Sequence, residues 1–218
     1  MRTLVIDTAT ERLSVALFDE QEIVAHHGLL AGRGHAEALL PAIAALPDGG
    51  KADRIAVNVG PGSFTGVRIG LAAARALAFA WGVPLTGYSA LALIAAQARE
   101  QGVADDRITV AMTGGHGELF WQRFARDTLA PMADPASTPI AELAQSLPDA
   151  IVHGSGAEAL VAARGHGQAI PLLPDARWFA LLPMEAAALP PRPIYGRGAD
   201  AKPMTARPGA TAHPAPTA

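Results

Sequence analysis

Hydrophobic and polar positions along this chain follow two periods, and the switches between them mark its elements. Residues 3–7, Thr-Leu-Val-Ile-Asp, are a short apolar run ending in an acid. Residues 13–18 alternate and residues 23–29 form a third run, with Asp19-Glu20-Gln21 between them as a hairpin turn would be. From 35 to 46 the period lengthens: Ala36, Leu39, Leu40, Ile43, Ala44 and Leu46 recur at helical spacing until Pro47-Asp48-Gly49-Gly50. Residues 55–59 read as a buried strand. A glycine-rich turn follows, Gly60-Pro61-Gly62-Ser63-Phe64-Thr65-Gly66-Val67-Arg68-Ile69-Gly70, and launches a helix from about 65 to 81. Residues 85–88 predict a short strand and 89–101 another helix.

The second half repeats this order. Strands are expected at 107–113 and 118–125, with a weak third at 129–132. A helix over 139–147, a strand at 150–153, a helix over 155–163, a strand at 169–173 and a helical stretch over 176–189, interrupted by Pro183, complete it. Two runs of strands with helices after the parallel ones predict an α/β protein of two lobes with a duplicated mixed sheet. The polar break at Ala104-Asp105-Asp106 divides residues 1–104, the N-terminal lobe, from 105–198, a smaller C-terminal lobe. Residues 199–218 are rich in Ala, Pro, Thr and Gly. They cannot bury enough apolar surface to offset chain entropy, and a flexible tail is expected there.

Composition narrows the picture. Apolar residues make up 50% of the 218, aromatics only 5%, so small aliphatic side chains and helix packing should build the core. A net charge of −3 gives no basic footprint for direct nucleic-acid binding. Cysteine is absent, which excludes disulfides, thiol catalysis and cysteine metal sites. With neither a leader nor a membrane-length apolar run read from the chain, a cytoplasmic soluble protein is the expectation.

Three stretches are candidates for chemistry. Asp7, Thr8 and Thr10, at a strand end, could sit beside a phosphate or hydrated magnesium, or simply bond their own backbone in a hairpin. Gly62 and Ser63 in the glycine turn could offer amides to the same phosphate, although no lysine of a P-loop accompanies them. Ser63 or Thr65 would cap the following helix. In the second half, His116 and Glu118 could act as proton shuttle and base, or belong to an ordinary hairpin loop. Gly154-Ser155-Gly156 is a further glycine turn. No two of the seven histidines lie at helical metal-pair spacing. Gly66, Gly70, Ala74 and Ala78 recur every fourth residue. That stripe without bulk admits either this chain's own sheet or a partner's helix.

Ile6-Asp7-Thr8-Ala9-Thr10, His35-Ala36-Glu37 and the Gly60 to Gly70 stretch together resemble the bacterial TsaB family, with Gly117-Glu118 and Gly154-Ser155-Gly156 in that family's order. The resemblance is close over residues 1–100 and thin beyond about 125. It implies an actin-like, sugar-kinase/Hsp70-type two-lobed fold. It also implies a non-catalytic scaffold or activating subunit that dimerises with a TsaD-like catalytic paralogue. The assembly, joined by a TsaE-like ATPase, adds a threonylcarbamoyl group to adenosine next to the anticodon of tRNAs reading codons that begin with A. On this reading tRNA is met only through the complex, and the chain has no catalytic residue, no metal and no intrinsic cofactor. ATP or ADP at the joint with a partner stays open. The expected pairing surface lies on the helices at 35–46 and 65–81, with His35, Leu39, Arg68, Leu71, Ala74, Arg75 and Ala78, and the same surface would allow a homodimer in isolation.

The absence of an HxxxH pair of the TsaD type separates the chain from that paralogue. It departs from the TsaB pattern in two ways: Thr113-Gly114-Gly115 stands where the family often has Asp-Ala-Arg, and the C-terminal lobe is short with a Pro-rich end around Pro190-Pro191-Arg192-Pro193. The alternative reading is a stand-alone actin-like kinase or ATPase, needing Asp7, Thr8 and Thr10 around a nucleotide. A peptidase, the third, finds neither nucleophile nor metal pair.

Overall fold

One sheet topology is used twice. In the computed structural model, which describes residues 1–194, β1 (Arg2–Asp7), β2 (Arg12–Asp19), β3 (Glu22–Leu30), β4 (Arg54–Asn58) and β5 (Leu85–Tyr88) pair in the order β3-β2-β1-β4-β5. β6 (Arg107–Thr113), β7 (Glu118–Ala125), β8 (Ala136–Pro139), β9 (Ile151–His153) and β10 (Gln168–Ile170) pair in the order β10-β9-β6-β7-β8. Read from opposite ends the two orders coincide. In each, the first strand is antiparallel to the second and parallel to the fourth. The tail expected at 199–218 lies outside the described residues.

The helices are α1 (His35–Ala44), α2 (Phe64–Trp81), α3 (Ala90–Glu100), α4 (Ile140–Ser146), α5 (Ala157–Arg164) and α6 (Met184–Ala187), with 3-10 turns at Pro47–Gly50 and Ala176–Leu181. β1 runs through the middle of its sheet with both faces covered. Leu4 and Ile6 join the cluster under α1 and α2, and Val5 joins the one under α3. A strand buried on both sides has no polar face, which is why its sequence reads as an unbroken apolar run. α2 starts where the Ser63 hydroxyl accepts the Gly66 amide at 3.2 Å. It ends at Gly82, whose φ of 68° is one a side chain would resist.

Two expectations need correction. The third strand of the second half is β8 at Ala136–Pro139, not 129–132. Leu129 adopts a φ of 56° and buries its side chain, while Pro131, which has no N–H to give a ladder, makes only an isolated bridge to Phe124. The chain also crosses between halves after Asp175. The turn at Ala176–Leu181 packs on the first sheet through Phe179, whose ring meets Tyr88 at 5.3 Å and Phe18 at 6.3 Å. Leu189 pairs with Gly87 of β5, and the Ile194 amide donates to Val59 O at 2.7 Å. α3 and this returning segment fill the space between the two sheets with one apolar cluster, which draws Val5, Phe18 and Tyr88 from one side and Ile108, Val110 and Phe124 from the other.

Candidate functional site at the glycine turn and the outer helices

The turn that opens α2 is filled from within the chain. The Thr8 hydroxyl donates to Gly66 O at 2.8 Å, and the Ser63 amide donates to Ala9 O at 2.7 Å. A Cβ at Gly62 would run into Ala9 O, one at Gly66 into Thr8 O, and one at Gly70 into the Thr8 hydroxyl. The missing side chains therefore make room for the turn between β1 and β2. The same device closes the second half: the Gly156 amide donates to Ala111 O at 3.0 Å, a Cβ at Gly154 would strike Ala111 O of β6, and one at Gly156 would strike the Leu119 side chain of β7. There the Thr113 amide donates to the Ser155 hydroxyl at 3.1 Å.

Asp7 sits beneath this turn with no exposure. Its carboxylate accepts from Asn58 Nδ2 at 2.7 Å, the Tyr88 hydroxyl at 3.2 Å and the Ala9 amide at 3.1 Å. Burial pushes the carboxyl up to about 6, and these donors hold it below where burial alone would place it. Of the five phosphate candidates, Asp7, Thr8 and Thr10 are buried, Gly62 is packed on Ala9, and Ser63 is spent as the α2 cap. All five are brought together at the joint between this turn and the start of α2.

The helix surface is also not where the small-residue stripe pointed. Gly66, Gly70, Ala74 and Ala78 face this chain's own sheet and are buried, so that stripe is packing within the chain. His35, Leu39 and Leu71, expected at a partner interface with Ala74 and Ala78, are buried as well, at 1–4% exposure. Arg68 and Arg75 do reach the surface. Arg68 lies over the Phe64 ring, and Arg75 Nη2 donates to Pro191 O at 2.8 Å. The outward side of α2 runs through Phe64, Arg68, Ala72, Arg75 and Phe79, and that of α1 carries Leu40. Phe79 is 92% exposed and Leu40 54%. Sequence reading offers Phe79 as flanking apolar area for a partner, at helical spacing from Arg68 and Arg75, the two charges that mark the outer side, and does not place Leu40 at the surface.

In the second half, His116 is exposed at a φ of 60°, while the Glu118 carboxylate accepts from the Ser137 hydroxyl at 2.6 Å, fixing it to β8. Among the described residues no three His, Cys, Asp or Glu side chains cluster as a metal site would require, and no helix is long and apolar enough to cross a membrane.

The repeated five-stranded sheet with interleaved helices defines the two-lobed α/β class of the actin-like proteins, and solved structures agree. A Pseudomonas aeruginosa protein described as similar to peptidase YeaZ matches with a TM-score of 0.74 and 28% identity, over 90% of this chain and 99% of that one. The ethanolamine utilization protein EutJ of Carboxydothermus hydrogenoformans, 14% identical with a TM-score of 0.50, shares the fold. The family model for TsaD, tRNA N6-adenosine threonylcarbamoyltransferase, matches residues 24–170, and the chain belongs to that family. Among curated relatives, the tRNA threonylcarbamoyladenosine biosynthesis protein TsaB of Escherichia coli is 39% identical over 133 residues, 58% of this chain and 56% of that protein. TsaB of Bacillus subtilis is 36% identical over 104 residues, 45% of each. The chain thus spans about half the length of the curated relatives it matches.

Proposed function

We propose that this chain is a TsaB-like, non-catalytic subunit of the cytoplasmic machinery that makes threonylcarbamoyladenosine in tRNA, and that it pairs with a TsaD-like paralogue through the outer faces of α1 and α2. Membership of the family and the likeness to TsaB proteins support the pathway. The observation that carries the role is the pairing of a filled glycine turn with an exposed apolar helix surface. The turn that would hold phosphates is occupied by the chain's own Thr8 and Ala9, whereas Phe79 and Leu40 stand in solvent. Apolar side chains so exposed on paired helices favour burial against another helical surface. We place any ATP or ADP at the joint with the partner, a reading supported by the packing of Gly62, Gly66 and Gly70 on Thr8 and Ala9. A second copy would use the same surface when the paralogue is missing.

The test is reconstituted tRNA modification with and without this chain, together with co-purification with the TsaD-like protein. Phe79→Asp and Leu40→Asp touch no core contact and should fold, yet lower co-purification at least ten-fold, an interface loss of about 1.4 kcal/mol or more. Product formation undiminished on omitting the chain would overturn the role. Retained pairing in the double variant would overturn the surface.

A further inference from the structure

On the face of the first sheet that looks toward the second, one carboxylate gathers two guanidiniums and an imidazole. Asp175 is 3% exposed. Arg12 Nη2 lies 2.8 Å from its Oδ2 and Arg177 Nη2 3.0 Å, while Arg177 Nε and His26 Nε2 stand 3.2 Å and 3.1 Å from Oδ1. Arg12 and His26 reach it from neighbouring strands because the register pairs Arg12 with Leu30 and Ala16 with His26, which puts both on one sheet face. Gly28, opposite Ser14, keeps the space between them clear. A Cβ there would stand 3.1 Å from His26 Cε1 and 3.2 Å from Arg12 Nη2. The segment is pinned next door, where the Ala176 amide donates to the Ser14 hydroxyl at 2.9 Å.

Charge and donors both exceed what one carboxylate uses. The two guanidiniums outweigh it even with His26 neutral. Arg12 Nε and His26 Nε2 are shut off from water, yet neither has a hydrogen-bond partner. The imidazole Nε2 is near Oδ1 but makes no hydrogen bond to it. Buried donors without acceptors are costly, and the two coplanar oxygens of this carboxylate leave Arg12 Nε and His26 Nε2 without one. A phosphate-class oxyanion has more oxygens, arranged tetrahedrally, and guanidinium forks suit it. The cluster also opens to solvent: the side chains of Arg12 and Arg177 are 29% and 46% exposed.

We propose that Arg12, His26 and Arg177 form a binding site for a phosphate-class oxyanion, which the chain's own Asp175 holds as an internal stand-in. An arriving anion displaces Asp175 and loosens the turn behind it. That turn carries Phe179, so occupancy of the site is coupled to its packing on Phe18 and Tyr88 of the first sheet. An internal competitor lowers apparent affinity by the fraction of time it is bound.

The full-length chain tests this. Asp175→Asn keeps the shape and removes the charge. It should bind inorganic phosphate at least about ten-fold tighter than the unaltered protein in calorimetric titration, and adding Arg12→Gln should abolish the gain. In the unaltered protein, phosphate should speed amide hydrogen exchange in residues 175–182 beyond what chloride does at matched ionic strength. Adenosine 5′-monophosphate is run alongside: tighter binding than phosphate assigns the anion to a nucleotide, weaker binding to a free ion. A folded Asp175→Asn variant that binds phosphate no tighter overturns the proposal. Should the variant fail to fold, equal exchange in phosphate and chloride overturns it.

Discussion

Asp7 holds a carboxyl where no water reaches, and this fixes its response to pH. Its folded value, about 6, stands above the ordinary value of 3.8. Between those values the folded state binds the proton more tightly than the unfolded chain, so Asp7 makes the protein lose stability as pH rises from about 4 to about 6. Asp175 is shifted the other way. Burial opposes its charge, but His26 and Arg177 outweigh burial and hold it well below the usual carboxylate range. Its contribution is therefore complete above about pH 4 and does not overlap the Asp7 window. Asp7→Asn should remove the fall. In urea unfolding at pH 4 and pH 7, the stability difference between the two proteins should change by up to about 3 kcal/mol. An unchanged difference would mean that water reaches the carboxyl. Gly66→Ala tests the neighbouring joint. Its Cβ meets backbone rather than a movable side chain, so a loss of about 1–3 kcal/mol is expected in the same assay. At this scale the sequence was informative about which residues meet and left open why. Asp7, Thr8, Gly62 and Ser63 do converge, but a glycine spared for a ligand and a glycine spared for a neighbouring turn leave the same mark.

Elements were legible wherever one period ran long enough. α2 and α3 emerge close to their expected ends because Ser63 and Ser89 cap them and a small-residue or apolar face persists across three turns or more. What could not be read from α2 was which face went where. Its Gly66 to Ala78 stripe and its Phe64 to Phe79 stripe are both compatible with close packing, and β4 takes the first because Val57 fits against Gly70. The docking prediction consequently rests on Phe79 and Leu40, not on Gly70 or Ala74. A bulky residue at Ala74 should unfold α2 from its sheet, visible as lost helical circular dichroism, before any partner is involved. The Asp175 cluster lay beyond sequence reasoning for a different cause. Arg12 and His26 are placed by a hairpin register, but the carboxylate that joins them comes from 149 residues past His26 and after ten strands.

For the whole molecule, the repeated order of elements was enough to predict two like halves, and it concealed how they are joined. A repeat suggests two independent cores. Instead α3, which follows β5, lies in a single cluster with Ile108, Val110 and Phe124 of the second sheet, and residues after Asp175 return to cover Phe18 and Tyr88 of the first. Two features therefore join the halves: α3, packed against the second sheet, and the segment after Asp175, which returns the chain to the first sheet through Phe179. Truncating Phe179 to alanine removes the smaller one and should cost about 3–5 kcal/mol, the usual range for a buried phenylalanine. α3 is buried along nearly its whole length and remains in place, so unfolding should stay a single transition. Trp81 beside the first sheet and Trp121 on the second provide separate fluorescence probes once the other tryptophans are replaced by phenylalanine. Coincident midpoints for both probes in the Phe179→Ala protein would confirm α3 as the dominant bridge. Separate midpoints would show that the returning segment, and with it Asp175, holds the halves together, and would make the anion site a direct control on the union of the two sheets.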